Sequence, residues 1–387
     1  MEILEIIKNK IISEDNNFYL STKRKQEKWK VKDRITRKLC FESGKIIVQI
    51  RRYYKENDSK KEYFNVINSL FKDNKNKNID LELKNKLIKL CLGGLSYRII
   101  AKNYNIAHSS VYNIIQKNYN NTLNQMKFKN FQNLSKDKKF IYISVDDTYF
   151  NVKKIKNHII KLKCRMINLF LLNKNKKPIA KNHLLIFSKP NDNIKTEELA
   201  TKILNIINCF YSKELKIVVT GDGAKWIRSL AKKLKAKYVL CKFHLFSKLK
   251  VIFNNSYEVK IQLKQLASII KVDLQQYIYE CIKNHKYEEI YKFISKNWNE
   301  IYQCLNHNRA LLLHNFGNYI KLNIFGLEDQ ENGWYYGNIA EAYVSHLIKS
   351  QIKKHYSIWN IRTIIQKILN PHSHIQKNIK VELFNIK

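Results

Sequence analysis

Between residues 139 and 253 the hydrophobic period switches in a set order, and that order limits the possible folds more than any other feature. "KFIYISVDDTYFNVK" (139–153), "HIIKLKCRMINLFLL" (158–172) and "IAKNHLLIFS" (179–188) are successive β-rich runs, parted by turn-like stretches such as "NKNKKP". "TEELATKILNIINCFY" (196–211) then places Leu199, Ile203, Ile206, Ile207 and Phe210 on one helical face. Strand "LKIVVT" (215–220), helix "AKWIRSLAKKL" (224–234), strand "AKYVLC" (236–241) and helix "HLFSKLKVIF" (244–253) complete the series.

Three strands, a helix, then strand, helix, strand, helix is the element order of a ribonuclease-H-like domain. That fold is an α/β domain whose mixed sheet sets the first strand centrally beside the fourth. The order puts Asp146, within the first strand, next to Asp222 in "IVVTGDGAKWIRSL", at the end of the fourth. Open α/β sheets bind ligands beyond the carboxyl ends of their strands. Glycines on both sides of Asp222 predict a sharp turn that a polyanion can approach. Alternation sets Asp147 on the apolar face with Ile141, Ile143 and Val145, and Asp146 on the face of Tyr142, Ser144 and Thr148. Because an unpaired carboxylate on an apolar face is costly, Asp146 is the better ligand. A third carboxylate is expected from a later helix, with Glu341 in "GNIAEAYVSHLIKSQIKKHYSIWN" the best candidate. Asn338 to Glu341 also fits an N-terminal capping box, and Glu328, Asp329 and Glu331 compete from a turn-like stretch.

Upstream, a mainly α N-terminal region is expected, with helices and a β-hairpin over 1–80 and a helix-turn-helix over 81–130. "MEILEIIKNKIISEDNN" reads as an amphipathic helix, and "ITRKLCFESGKIIVQIRRYY" as a hairpin about Ser43 and Gly44. In "SYRIIAKNYNIAHSSVYNIIQK", Ile100, Ala101, Tyr104, Ile106, Val111 and Ile114 have helix-turn-helix spacing. Asn105 takes the turn position that needs left-handed backbone. The second helix would present Ser109, Ser110, Tyr112 and Asn113 to a DNA groove, although any short helical hairpin gives similar spacing. The catalytic domain is expected to run over 138–255 and 335–365, around a helical insertion at 256–334.

The charge favours a polyanionic partner: 72 Lys+Arg against 32 Asp+Glu give +40. Only ten of those cations are Arg, and Lys, Asn and Ile abound, so an A+T-rich coding sequence is a competing source of the bias. The seven cysteines are scattered without a CxxC pair, which argues against a disulfide framework or zinc ribbon. No apolar run approaches the roughly 18 residues of a membrane span. A cytoplasmic, nucleoid-associated protein with no small-molecule substrate is the expectation.

"VDDTYF", "GDGAKWI", the "CKFH" of residues 241–244, and "AEAYVSH" followed by "SIWN" resemble DDE-type transposases of insertion sequences, particularly the ISLre-type group. More distantly, "VDDTY", "DGA" and C-x-x-H are similar to the Mutator-type transposases. The resemblance implies Asp146, Asp222 and Glu341 as the catalytic and metal-binding triad. Two departures stand out: Asp147 follows the first Asp where the group commonly has Gly, and Ala342 rather than Gly follows Glu341. The resemblance also implies two Mg²⁺ (or Mn²⁺) ions, with Asp146 shared between them, Asp222 on one and Glu341 on the other. Double-stranded DNA, as terminal inverted repeats and as target, is the implied partner, handled by a homodimer because two ends must be held together.

Cys241 and His244 have half the spacing of a zinc site but no second pair. The resemblance sets His244 at the edge of the active site, touching a phosphate or supporting the metal-bound state. Lys225, Trp226 and Arg228 could grip phosphates and stack a base at the mouth of the site, or Trp226 could simply anchor its helix in the core. Lys349 is a further DNA contact on nearly the same face as Glu341. Two rival readings are a catalytically inactive, transposase-derived DNA-binding regulator and an RNA-acting nuclease of the same fold.

Overall fold

Alternating apolar residues over 140–188 build three long antiparallel strands: β4 (Phe140–Lys153), β5 (Ile159–Leu172) and β6 (Pro178–Ser188). The computed structural model describes residues 2–57, 60–67, 78–124, 127–153, 158–329, 339–352, 358–369 and 378–385. It divides into two units, Met1–Asn124 and Gln125–Lys387.

In the first unit, helix Glu2–Leu20 covers a hairpin of β1 (Lys30–Phe41) and β2 (Gly44–Asn57), which β3 (Lys60–Phe64) extends. Leu4, Ile7 and Ile11 meet Leu39, Val48 and Ile50 in its core. The buried Asp15 ties helix to sheet by accepting hydrogen bonds from Arg51 Nη1 (2.8 Å) and Tyr53 Oη (3.1 Å). Cys40 N–H donates to Asn78 O (2.8 Å), stitching the hairpin to the approach of helix Leu81–Gly93. Helices Tyr97–Asn103 and His108–Asn124 follow, the first capped by Ser96 Oγ. Asn105, at φ 50°, makes the left-handed turn between them, and Ile106 N–H donates to Ala101 O (2.9 Å). Ile100, Ala101, Val111 and Ile114 are buried in the core of this helical hairpin, with Tyr104 and Ile106 packed against it. Ser109, Tyr112 and Asn113 are exposed and Ser110 is half-buried.

The second unit is a mixed six-stranded sheet in the order β8-β7-β4-β5-β6-β9. Strand β7 (Lys216–Gly221) pairs parallel with β4, from Phe140↔Lys216 to Ser144↔Thr220, and β8 (Lys237–Leu240) adds in parallel beyond it. Helices Thr196–Phe210 and Lys225–Lys233 bury Leu199, Ile203, Ile227 and Leu230 against Ile141, Ile143 and Val145 on one sheet face. Strand β9 (Ile379–Leu383), on the free edge of β6, lies outside the expected boundary at 365 and is absent from the sequence reading.

Helices from Tyr257–Ile270 to Ile324–Asp329 enclose a core of their own, in which Leu266, Ile278, Ile290 and Phe316 meet Leu245 and Leu249 of helix Lys242–Ile252. This layer seats on β8, where Gly326 lies so close that a Cβ would come 2.5 Å from the Tyr238 ring. Helix Ile339–Tyr343 continues into a π-helical stretch, Val344–Lys349. It returns the chain to β4 and β5, with the Tyr343 ring 4.7 Å from that of buried His183. Gly337 and Asn338, Glu331 and the Lys353-Lys354-His355 run lie outside the described residues, so the capping-box alternative for Glu341 does too. No described helix is long and apolar enough to cross a membrane.

Candidate metal centre

The parallel pairing of β4 with β7 sets Asp146 near the end of the strand that Asp222 follows. Asp146 is 7% exposed, and its Oδ1 accepts the Asp147 N–H at 2.9 Å. Burial, followed by the charges of Glu341 and Asp222, pushes its carboxyl up to about 7. Ligand atoms of Asp146, His244 and Glu341 all lie within 4.8 Å of one another. Oxygens around one small dication, each about 2.1 Å away, are at most about 4.2 Å apart, so a slight contraction would close this trio on an ion. The donors fit such an ion: two carboxylates and a half-buried imidazole whose protonation is suppressed, mainly by burial. Nδ1 of His244 is buried with no hydrogen-bond partner among the described residues.

Asp222 stands beside the trio rather than in it. Its Oδ1 accepts the Ala224 N–H (2.9 Å), and the Tyr319 hydroxyl donates to its backbone oxygen (2.9 Å). Its charge nevertheless acts on both Asp146 and His244. The two flanking glycines do not open the turn to DNA, as their sequence suggests. A Cβ at Gly221 would come 2.6 Å from Ile227 Cδ1, and one at Gly223, where φ is +90°, 2.6 Å from Tyr319 Cε2. Protein side chains fill that space: Gly221 lets Ile227 of the following helix pack in, and Gly223 lets Tyr319 of the helical layer clamp the turn that carries Asp222.

Asp147 faces the apolar side, as alternation requires, and Arg165 removes the cost of placing it there. The register sets the two directly opposite on β4 and β5, and Arg165 Nε and Nη2 donate to the carboxylate at 2.9 and 2.8 Å. The same guanidinium lies 3.5 Å from the centroid of the Trp226 ring. One face of Trp226 therefore serves as a seat for Arg165, and the clasp joins the helix after Asp222 to the two central strands. Arg165→Met strands a nearly buried carboxylate and is expected to lower stability by about 3–5 kcal/mol, with Asp147→Asn on the same chain recovering part of the loss. Urea unfolding of the single and double variants measures both effects.

Arg228 donates from Nη1 to Leu322 O (2.6 Å), holding the end of helix His307–Leu322. Lys225 is exposed, and Lys349 Nζ lies 3.3 Å from Glu341 Oε1. Cys241 is buried at the end of β8, its N–H donating to Gly221 O (2.8 Å). Of the rival carboxylates, Asp329 pairs with Lys237 (3.4 Å) and Glu328 is not part of the trio. The sequence reading missed Arg165, although a lone guanidinium in the apolar run "KLKCRMINLFLL" already demands an acid across the ladder. It set His244 at the edge of the active site, touching a phosphate or supporting the metal-bound state, and the fold brings the ring beside Asp146 and Glu341.

Two carboxylates and an imidazole beside the central strand β4 of a mixed sheet define a candidate metal-binding centre. The chain belongs to the uncharacterised protein family UPF0236, whose model matches residues 2–306. The match includes Asp146, Asp222 and His244 and ends before Glu341. No curated protein matches the chain.

Proposed function

We propose that this protein is a DNA transposase of an insertion sequence, cutting element ends and joining them to target DNA by a metal-dependent DDE mechanism on a ribonuclease-H-like domain. The observation that carries the reading is the convergence of Asp146 and Glu341, from opposite ends of the second unit, with the charge of Asp222 acting on the pair. The strand order supports it too: a central β4, antiparallel β5 and β6 on one side, parallel β7 and β8 on the other.

Asp146, Asp222 and Glu341 would hold two Mg²⁺ or Mn²⁺ ions, with His244 beside them. Bound there, such ions activate the attacking oxygen and stabilise the leaving one in an in-line displacement. Water first attacks the phosphorus at the element end, breaking its bond to the 3′ oxygen and leaving a 3′-hydroxyl. That hydroxyl then attacks a target phosphodiester, and the target's own 3′ oxygen leaves. Cations held there would screen the carboxylates from the negative charge that develops at the phosphate. Lys225, exposed one turn past Asp222, and Lys349, beside Glu341, are suited to the flanking phosphates.

The charge of +40 fits a DNA partner, and a homodimer follows from the need to hold two ends. Ser109, Ser110, Tyr112 and Asn113 open the second helix of the N-terminal hairpin, where base edges are read. Tyr112→Ala and Asn113→Ala are each expected to weaken binding to the cognate duplex by about 1–3 kcal/mol, leaving binding to unrelated duplex nearly unchanged. Electrophoretic titrations at fixed salt measure this.

A strand-cleavage and joining assay on DNA bearing the terminal repeats of such an element, with Mg²⁺ and with Asp222→Asn, tests the whole reading. Cleavage unaffected by that substitution would sink the mechanism. Sequence-specific binding with no metal-dependent cleavage would instead identify a transposase-derived regulator.

A further inference from the structure

The three donors nearest one another are not the three carboxylates. They are Asp146, His244 and Glu341, while Asp222 has one oxygen engaged by the Ala224 N–H. We propose that the two cation seats are unequal: Asp146, His244 and Glu341 form a resident seat that fills before DNA arrives, with the His244 ring nitrogen as a direct ligand. The seat beside Asp222 then fills only together with DNA. This rests on the metal-site reading above and adds to it a ligand, an order of loading and a metal preference.

Three protein donors from three separate elements suffice to hold a dication with water completing its shell. A single carboxylate oxygen next to Asp146 does not, and needs the oxygens of a bound phosphate, as is usual for Mg²⁺ at phosphoryl sites. The buried Nδ1 of His244 has no hydrogen-bond partner among the described residues, so burying the ring has left a donor or acceptor position unused. A cation in the trio would use the imidazole, either directly at that nitrogen or at the other with Nδ1 as the N–H. Lys349 supplies a positive charge beside Glu341, 3.3 Å from Oε1, and a dication entering the trio takes over that role and frees the ammonium for a phosphate. Oxygen-only sites suit Mg²⁺, whereas an imidazole ligand favours first-row transition cations, so the resident seat prefers Mn²⁺ to Mg²⁺.

The test is a Mn²⁺ titration of the full chain without DNA, followed by electron paramagnetic resonance. One Mn²⁺ per chain is expected, with nitrogen modulation in the pulsed spectrum that changes when histidine is isotopically labelled, a readout that needs no variant. His244→Gln is expected to abolish that modulation and weaken Mn²⁺ binding by about tenfold or more, leaving weak Mg²⁺ binding little altered. Addition of a DNA duplex should raise the stoichiometry to two in the wild type and leave Asp222→Asn at one. Mn²⁺ bound without histidine nitrogen coupling, or no Mn²⁺ bound until DNA is added, would overturn the inference and leave the carboxylate site standing. Mn²⁺ binding that survives both Asp146→Asn and Glu341→Gln, with or without DNA, would overturn the metal-site reading itself.

Discussion

Asp146→Asn is expected to stabilise the metal-free protein at pH 8 while abolishing the metal-dependent strand cleavage proposed for it. The Asp146 carboxyl sits at about 7, raised first by burial and then by Glu341 and Asp222, against an ordinary value of 3.8. The folded protein therefore keeps a proton that the unfolded chain has already lost between about pH 4 and pH 7. Where the native state binds more protons, stability falls as pH rises, so the penalty is absent below about pH 4 and complete above about pH 7. At about 1.4 kcal/mol per unit, the ceiling is about 4 kcal/mol. Asn has no charge to bury and escapes the penalty. In the presence of a chelator, denaturant titrations should show the variant gaining on the wild type by about 2–3 kcal/mol between pH 5 and pH 8. A gap that stays constant with pH would mean that Asp146 ionises freely. Mn²⁺ should restore wild-type stability above pH 7 and do nothing for the variant, because a ligand that binds only the native state adds stability by mass action.

Asp222→Asn separates binding from chemistry. The Asn oxygen can still accept the Ala224 N–H, and the Tyr319 hydroxyl bonds to the backbone of residue 222, so the turn keeps its shape. What disappears is one negative charge at the mouth of the site. Strand cleavage under single turnover is expected to fall by about 10³-fold or more, the scale on which single electrostatic groups act in preorganised sites. Affinity for uncleaved DNA, measured in a chelator, should be unchanged or slightly higher, since a carboxylate facing phosphates has been removed. Equal losses of cleavage and DNA affinity would place Asp222 in a structural role.

The chain's punctuation made the second unit legible. Runs read from alternation and helical spacing agree with β4 to β8 and their helices to within about two residues, because each run buries one face and ends at a polar or glycine-containing turn. The short β9 was missed although Ile379, Val381 and Leu383 alternate with Lys380 and Glu382: five residues are too short a run to separate strand from loop, and they form a strand on the free edge of β6. Strand β3 is another such addition, extending through β2 a hairpin that the sequence announces at Gly44. Within the site, Asp146 and Asp222 follow from the order of strands. The partners of each side chain do not, since Arg165 meets Asp147 through a register set by the whole ladder. Trp226 shows the same limit: its neighbours in sequence leave it either a DNA platform or a core anchor, and in space it packs against the sheet core with a guanidinium on its ring. Gly223 was legible as a turn, but the Tyr319 ring that requires it comes from a helix nearly a hundred residues later.

The central claim, that cations held by Asp146, Asp222 and Glu341 act on the scissile phosphate, is tested most directly with sulfur in place of a non-bridging oxygen at that phosphate. Mg²⁺, a hard ion, tolerates the sulfur poorly, and Mn²⁺ accepts it better. Cleavage of the substituted DNA should be slow in Mg²⁺ and recover in Mn²⁺, while the unsubstituted DNA is cut in both. Equal slowing in the two metals, or cleavage that continues in a chelator, would contradict the account.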